Sequence, residues 1–171
     1  NLGYETAVGS RGSRLGVSYS LMDYSLGDYF NILDAVGKAR TFSIYGSTPL
    51  INSGGDYLAA VYGYANRQLQ DEMRLFGFST KKHSNALNAG RSRRAGSYTG
   101  YSALYYWGQL TNEDFTGAGE GSFQKFTTDV SHLRRLGNSV DLQLNFHGQL
   151  GSKELDSSEQ FYLGGANGVR A

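Results

Sequence analysis

The side chains able to do chemistry in this chain are few and scattered. His83, His132 and His147 stand far apart and there is no cysteine, so no pair sits at metal-ligand spacing. Neither a metal nor a cofactor is expected. Asp129 or Asp141 with His132 or His147 would be the start of a hydrolytic pair, because an aspartate can orient an imidazole. Asp129 and His132, however, are three apart, and on a strand they face opposite ways. The stretch Gly117-Ala118-Gly119-Glu120-Gly121 has the glycines of a phosphate-cradling loop but lacks the Lys-Ser/Thr that must follow, and it lies between strand-like segments rather than ahead of a helix. It reads as an outer loop. Arg91, Arg93, Arg94, Arg134 and Arg135 gather beside two short turns, where anionic head groups could meet them; solvated turn residues are the plainer account. No catalytic centre assembles from these groups, and the chain is not expected to be an enzyme or to bind nucleotide.

The composition narrows the field further. Among 171 residues there are 24 glycines, one proline and no cysteine, and 13 tyrosines lead an aromatic content of 13 %. Collagen and disulfide scaffolds are excluded, and so much apolar area to bury argues against a disordered chain. Sixteen basic and fifteen acidic side chains leave a formal charge of +1, which gives no pull toward nucleic acid. Mean hydropathy is negative and no run of about 18 apolar residues exists, so a helical membrane span is not expected. A membrane β-barrel escapes that test, since only alternate residues of its strands are apolar.

The elements that must carry any function are strands. In Val140–Leu150 the apolar or small residues hold every even position and polar residues every odd one, the period of a strand with one wet face. Leu15–Leu21 and Phe42–Gly46 repeat the pattern. Leu2–Val8, Asp56–Gln70, Lys81–Arg91, Ser97–Leu110 and Ser122–Leu133 are rich in β-formers and free of proline, which makes eight strands. Short turns at Ser10–Gly12, Pro49–Gly55, Arg93–Gly96 and Leu136–Asn138 alternate with longer loops at Gly27–Gly37, Asp71–Thr80, Thr111–Gly121 and from Gly151 onward. That alternation, with strands of about 10 to 15 residues, fits an outer-membrane barrel. Tyr98 and Tyr106, eight apart, are placed on one face as two girdle residues, with Tyr101, Tyr105 and Trp107 on the other.

Eight strands closed on themselves would leave a narrow, filled interior. The candidate inner faces carry Arg67, Lys82, Lys125, Asp129 and Asp141, and burying those charges dry would be costly. A wider, watered lumen suits them better and needs more strands than are present. The chain therefore reads as part of an all-β, antiparallel, up-and-down transmembrane barrel. The rival readings are a diffusion porin or structural barrel without protein cargo, and a soluble β-sandwich adhesin.

The last fifteen residues, Ser157-Ser158-Glu159-Gln160-Phe161-Tyr162-Leu163-Gly164-Gly165-Ala166-Asn167-Gly168-Val169-Arg170-Ala171, carry a resemblance. They resemble a signature of the two-partner secretion outer-membrane transporters, the hemolysin secretion/activation family. That signature has a serine-serine-glutamate lead-in, a hydrophobic triplet, Gly-Gly and then Val-Arg-Gly-Tyr or Val-Arg-Ala-Tyr. Gly37–Arg40 with Tyr45–Leu50, Arg14–Tyr19 and Gly121–Phe126 are similar to its barrel strands. The resemblance implies a sixteen-stranded barrel in the bacterial outer membrane, with periplasmic polypeptide-transport-associated domains elsewhere in the protein. Residues 1–171 would then be part of one barrel domain. It implies lipid outside, an unfolded secreted partner polypeptide of haemolysin or adhesin type passing within, and a long loop folded back into the lumen. On that loop Gly164, Gly165 and Gly168 would allow a tight backbone path, and Val169-Arg170 would anchor it, the arginine gripping a carboxylate on a later strand.

Overall fold

The computed structural model describes residues 1–25, 35–73, 77–95, 99–113, 119–136 and 140–160. Eight strands form: β1 (Leu2–Val8), β2 (Ser13–Ser25), β3 (Ala35–Ser53), β4 (Asp56–Met73), β5 (Phe78–Ala95), β6 (Thr99–Asn112), β7 (Gly121–Arg135) and β8 (Asp141–Gly151). Each pairs antiparallel with its neighbour in sequence, giving one up-and-down sheet in the order β1 to β8. Among the described residues no second sheet stacks on it, and no helix is long and apolar enough to cross a membrane.

All eight expected strands exist, but several are longer than the alternation suggested. β3, β4 and β5 have 19, 18 and 18 residues, so much of the expected Asp71–Thr80 loop is strand, as are Arg93 to Ala95. Pro49 lies within β3 rather than in a turn. Pairing with β2 stops at Arg14↔Ser47, so Pro49 meets only β4, at a register shift between Pro49 and Ile51. Proline is tolerated there because no partner on the β2 side needs its missing N–H. The tight turn falls at Gly54-Gly55, whose φ values of 60° and 88° suit the two-residue hairpin loop that strand twist favours.

Register sorts the side chains into two faces. Arg67, Lys82, Lys125, Asp129 and Asp141 do share one, the polar face, because Arg67 pairs with Ser84, Ser84 with Leu110 and Leu110 with Gly121, while Asp129 pairs with His147. Tyr106 belongs to this face too, opposite Lys125, whereas Tyr101, Tyr105 and Trp107 lie on the apolar face. The expected girdle assignment is thus reversed on β6, since parity there follows Leu110 and Gly108, which face the charged side. Tyr98 lies outside the described residues.

The apolar face is oblique to the strands. Pairings align Leu15, Gly46, Tyr62, Ala89, Tyr105, Phe126 and Leu150 in one row across β2 to β8. On β2 the apolar run Leu15, Val17, Tyr19 and Leu21 extends from this row toward the β2–β3 connection; on β8 Leu150, Phe146, Leu144 and Leu142 extend the other way. The midpoint of the run drifts by about seven residues over about six strand steps. At roughly 3.3 Å per residue and roughly 4.8 Å between strands, the strands cross this band at about 40°. Leu142, Leu144, Phe146 and Leu150 are 39 %, 55 %, 59 % and 73 % exposed, so the band has no cover among the described residues.

Candidate functional site

The densest side-chain cluster lies where residues 152–160 fold back over the polar face. β8 ends at Gly151, and Ser152 continues its ladder for one step: Ser152 N–H donates to Gln124 O (2.9 Å) and Gln124 N–H to Ser152 Oγ (3.0 Å). The chain then turns inward. Leu155, 8 % exposed, packs with Ala86, Leu110 and Phe123 as a small apolar core. The Phe123 ring covers Gly108, where an added Cβ would come within 2.2 Å of ring carbon Cζ. Only glycine leaves that ring room to lie flat on the sheet and receive Leu155.

Asp156 starts a single 3-10 turn, Ser157–Glu159. Its Oδ1 accepts from Ser158 N–H (2.9 Å) and Ser158 Oγ–H (2.7 Å), the cap that a turn's unpaired donors require. Its Oδ2 accepts from Lys82 Nζ at 2.8 Å. Burial pushes this carboxyl up, but the Lys82 hydrogen bond and charge, with the two bonds from Ser158, outweigh it and hold the group below the ordinary aspartate range.

Glu159 ends the turn and is 2 % exposed. Its Oε1 accepts from Ser84 Oγ (2.8 Å) and Arg67 Nη1 (3.2 Å), and its Oε2 from Lys125 Nζ (2.6 Å). Its carbonyl oxygen accepts from Gln149 Nε2 (3.0 Å) and Lys125 Nζ (3.2 Å). Lys125 Nζ also stands 5.1 Å from the centre of the Tyr106 ring, a cation–π distance. One buried carboxylate is therefore held from β4, β5 and β7, and its backbone from β8. A charge this buried is tolerable only when its partners surround it, which binds the segment to a single position on the sheet. Chemically the arrangement is an anchor: both carboxylate oxygens of Glu159 and its backbone carbonyl accept from side chains of the sheet.

The other expected groups fall elsewhere. Asp129 Oδ1 and His147 Nδ1 are 2.5 Å apart, and Ser102 Oγ donates to Asp129 Oδ2 at 3.1 Å, all on the polar face; His132 is on the opposite face, beside Thr99 Oγ1 at 2.8 Å. The aspartate thus takes both bonds itself, unlike a hydrolytic triad, in which the histidine stands between. Arg93 meets Asp56 (3.3 Å) and Arg135 meets Asp141 (3.2 Å) at the turn end. Among the described residues no group of acids and histidines could hold a metal ion. Gly164, Gly165, Gly168, Val169 and Arg170 lie outside the described residues, as do Gly117 and Ala118 of the glycine-rich loop. What sequence reasoning missed is the anchor itself. The signal was present in Asp156-Ser157-Ser158-Glu159, a cap residue followed three positions later by an acid.

The chain is similar to three curated proteins of Haemophilus influenzae strains, each named heme/hemopexin transporter protein HuxB. Identity is 26 % in all three, over 98 % of this chain and 32 % of theirs. The chain spans about a third of the length of these curated relatives. No protein-family profile and no solved structure matches it.

Proposed function

We propose that residues 1–171 form part of the wall of an outer-membrane β-barrel that exports an unfolded partner polypeptide in two-partner secretion. The observation that carries this reading is the oblique apolar band. Strands of a transmembrane barrel cross the lipid slab at about 35–45°, so the greasy stretch must slide along the register from strand to strand, as it does from β2 to β8. A sandwich would instead bury this face under a second sheet.

The polar face then lines a hydrated lumen of mixed charge, which passes an extended polar chain without holding it. The anchored segment leads into the loop that, by the family resemblance, folds into that lumen with Arg170 as its second anchor. The relatives' name supports a transport role; a cargo of haemolysin or adhesin type follows from the resemblance, and one that handles haem or hemopexin would follow from the name. Transport of this kind needs no catalytic residue, nucleotide or cofactor from the chain.

The test is secretion by the full-length protein carrying Arg170→Ala, with small-solute flux measured in parallel. Loss of partner export with the barrel still inserted supports the reading. Export that is unaffected overturns the loop-anchor role, and solute flux with no protein export at all assigns a porin instead.

A further inference from the structure

We propose that Lys38, Arg40 and Lys81, with His83 beside them, form a seat for the phosphate groups of lipid headgroups at the long-loop edge of the wall; this rests on the membrane reading above. The pairings Lys38↔Gln70↔Lys81 and Arg40↔Gln68↔His83 place four basic side chains on the apolar face in two adjacent rows. Two strand spacings and two residues of rise make the patch about 10 Å by about 7 Å, the scale of a phosphorylated headgroup. With Gln68 and Gln70 the four line a cleft of about 220 Å³. Lys38, Arg40 and Lys81 are exposed, and none of them forms an ion pair among the described residues.

Height along the band is what assigns the ligand. On β5 the apolar run is only Leu87 and Ala89, between Asn85 and Arg91. His83 and Lys81 stand about five and about seven residues from its midpoint, which at about 40° of inclination is roughly 13 and 18 Å along the band normal. An apolar band about 25 Å tall ends about 12.5 Å from its midpoint, so both side chains emerge at the level of lipid phosphates. Cations there gain from the headgroups what they would lose in the hydrocarbon.

The neighbouring groups fit the same occupant. Asn66 Nδ2 lies 3.0 Å from His83 Nε2 and donates to Asn85 Oδ1 at 2.7 Å, which holds the imidazole in place beside the basic rows. Three acids stand near the seat. Asp23 is opposite Lys38, Glu72, one pair beyond, accepts from Gln70 Nε2 at 2.7 Å, and Glu113, after the end of β6 beside Lys81, lines the cleft on its β6 side. Between β3 and β5 the two rows themselves hold only bases and amides.

The experiment uses the full-length protein, purified in detergent and reconstituted into phosphatidylethanolamine vesicles with and without lipopolysaccharide. The parent is expected to bind lipopolysaccharide at least about tenfold more tightly than Lys38→Gln/Arg40→Gln/Lys81→Gln, with the loss diminishing at high salt. Equal affinity in an inserted triple variant overturns the proposal and leaves the membrane reading intact; failure of the parent to insert overturns both. Full competition by inorganic phosphate at equal concentration overturns the lipid assignment. Should the triple variant not fold, Lys81→Gln alone decides: a loss of about threefold supports the seat, and none overturns it.

Discussion

Lys125 Nζ and Glu159 Oε2 lie 2.6 Å apart, with both residues below 10 % exposure although they are 34 positions apart in the chain. The contact joins the middle of the wall to the segment that follows its last described strand. Breaking it leaves a buried charge without its partner, which costs about 3 to 5 kcal/mol in comparable sites. Glu159→Gln in the full-length protein is therefore expected to undock residues 152–160 without unfolding the sheet. Proteolysis within the segment should accelerate by at least about tenfold while strand content is kept; unchanged protection would mean that the pair does not hold the segment.

The anchor also has a pH limit set by Asp156. Its folded carboxyl ionises below the value of the free chain, so its contribution is complete above the unfolded value near about 4 and is lost as pH falls through the folded one. Hydrogen exchange at Ser158 and Gln160 should stay slow from neutral pH to about 4, after correction for intrinsic rates, and open below it. Asp156→Asn should give weaker protection that no longer changes across this acid range.

The apolar half of the anchor can be tested separately. Leu155→Ala removes the side chain that meets Ala86, Leu110 and Phe123, and such truncations cost about 2 to 3 kcal/mol at the lower end of the core range. Gly108→Ala acts through Phe123, whose ring must move off the sheet to admit a methyl group. Both should increase segment exchange, with Gly108→Ala additionally altering the environment of Lys125, whose Nζ is 5.9 Å from the Phe123 ring centre.

The two faces make opposite predictions for a single strand. Leu144→Arg puts a charge into the apolar band of β8, where a lipid-facing arginine costs about 2 to 4 kcal/mol near the midplane. Asn145→Arg, one residue on and facing the other way, should be nearly neutral. Fractionation of outer membranes and heat-modifiability of the full-length protein would show a loss of assembly for the first only. Equal tolerance of both would count against lipid on the apolar face.

Much of the wall was legible in the residues. Val140–Leu150 and Leu15–Leu21 alternate so regularly that strand and face follow from period two alone, and the five charges assigned to an inner face do share one. Legibility failed where alternation was diluted. β5 mixes lysine, serine and asparagine on both faces, so its length was underestimated, and the aromatic cluster on β6 offered no apolar–polar contrast from which to fix parity. Tyr106 is consequently on the charged face rather than the apolar one, while Tyr101, Tyr105 and Trp107 lie opposite it as expected.

By itself, then, the sequence determined eight antiparallel strands, their order and the sorting of most side chains to a greasy or a wet face, because these depend on near neighbours and on a backbone period of two. The tertiary structure alone decided the slant of the apolar band and the seat of Glu159. The slant is the sum of six inter-strand registers, each invisible in one strand read alone. The carboxylate draws Arg67, Ser84 and Lys125 from three strands, a convergence that exists only once the sheet has formed.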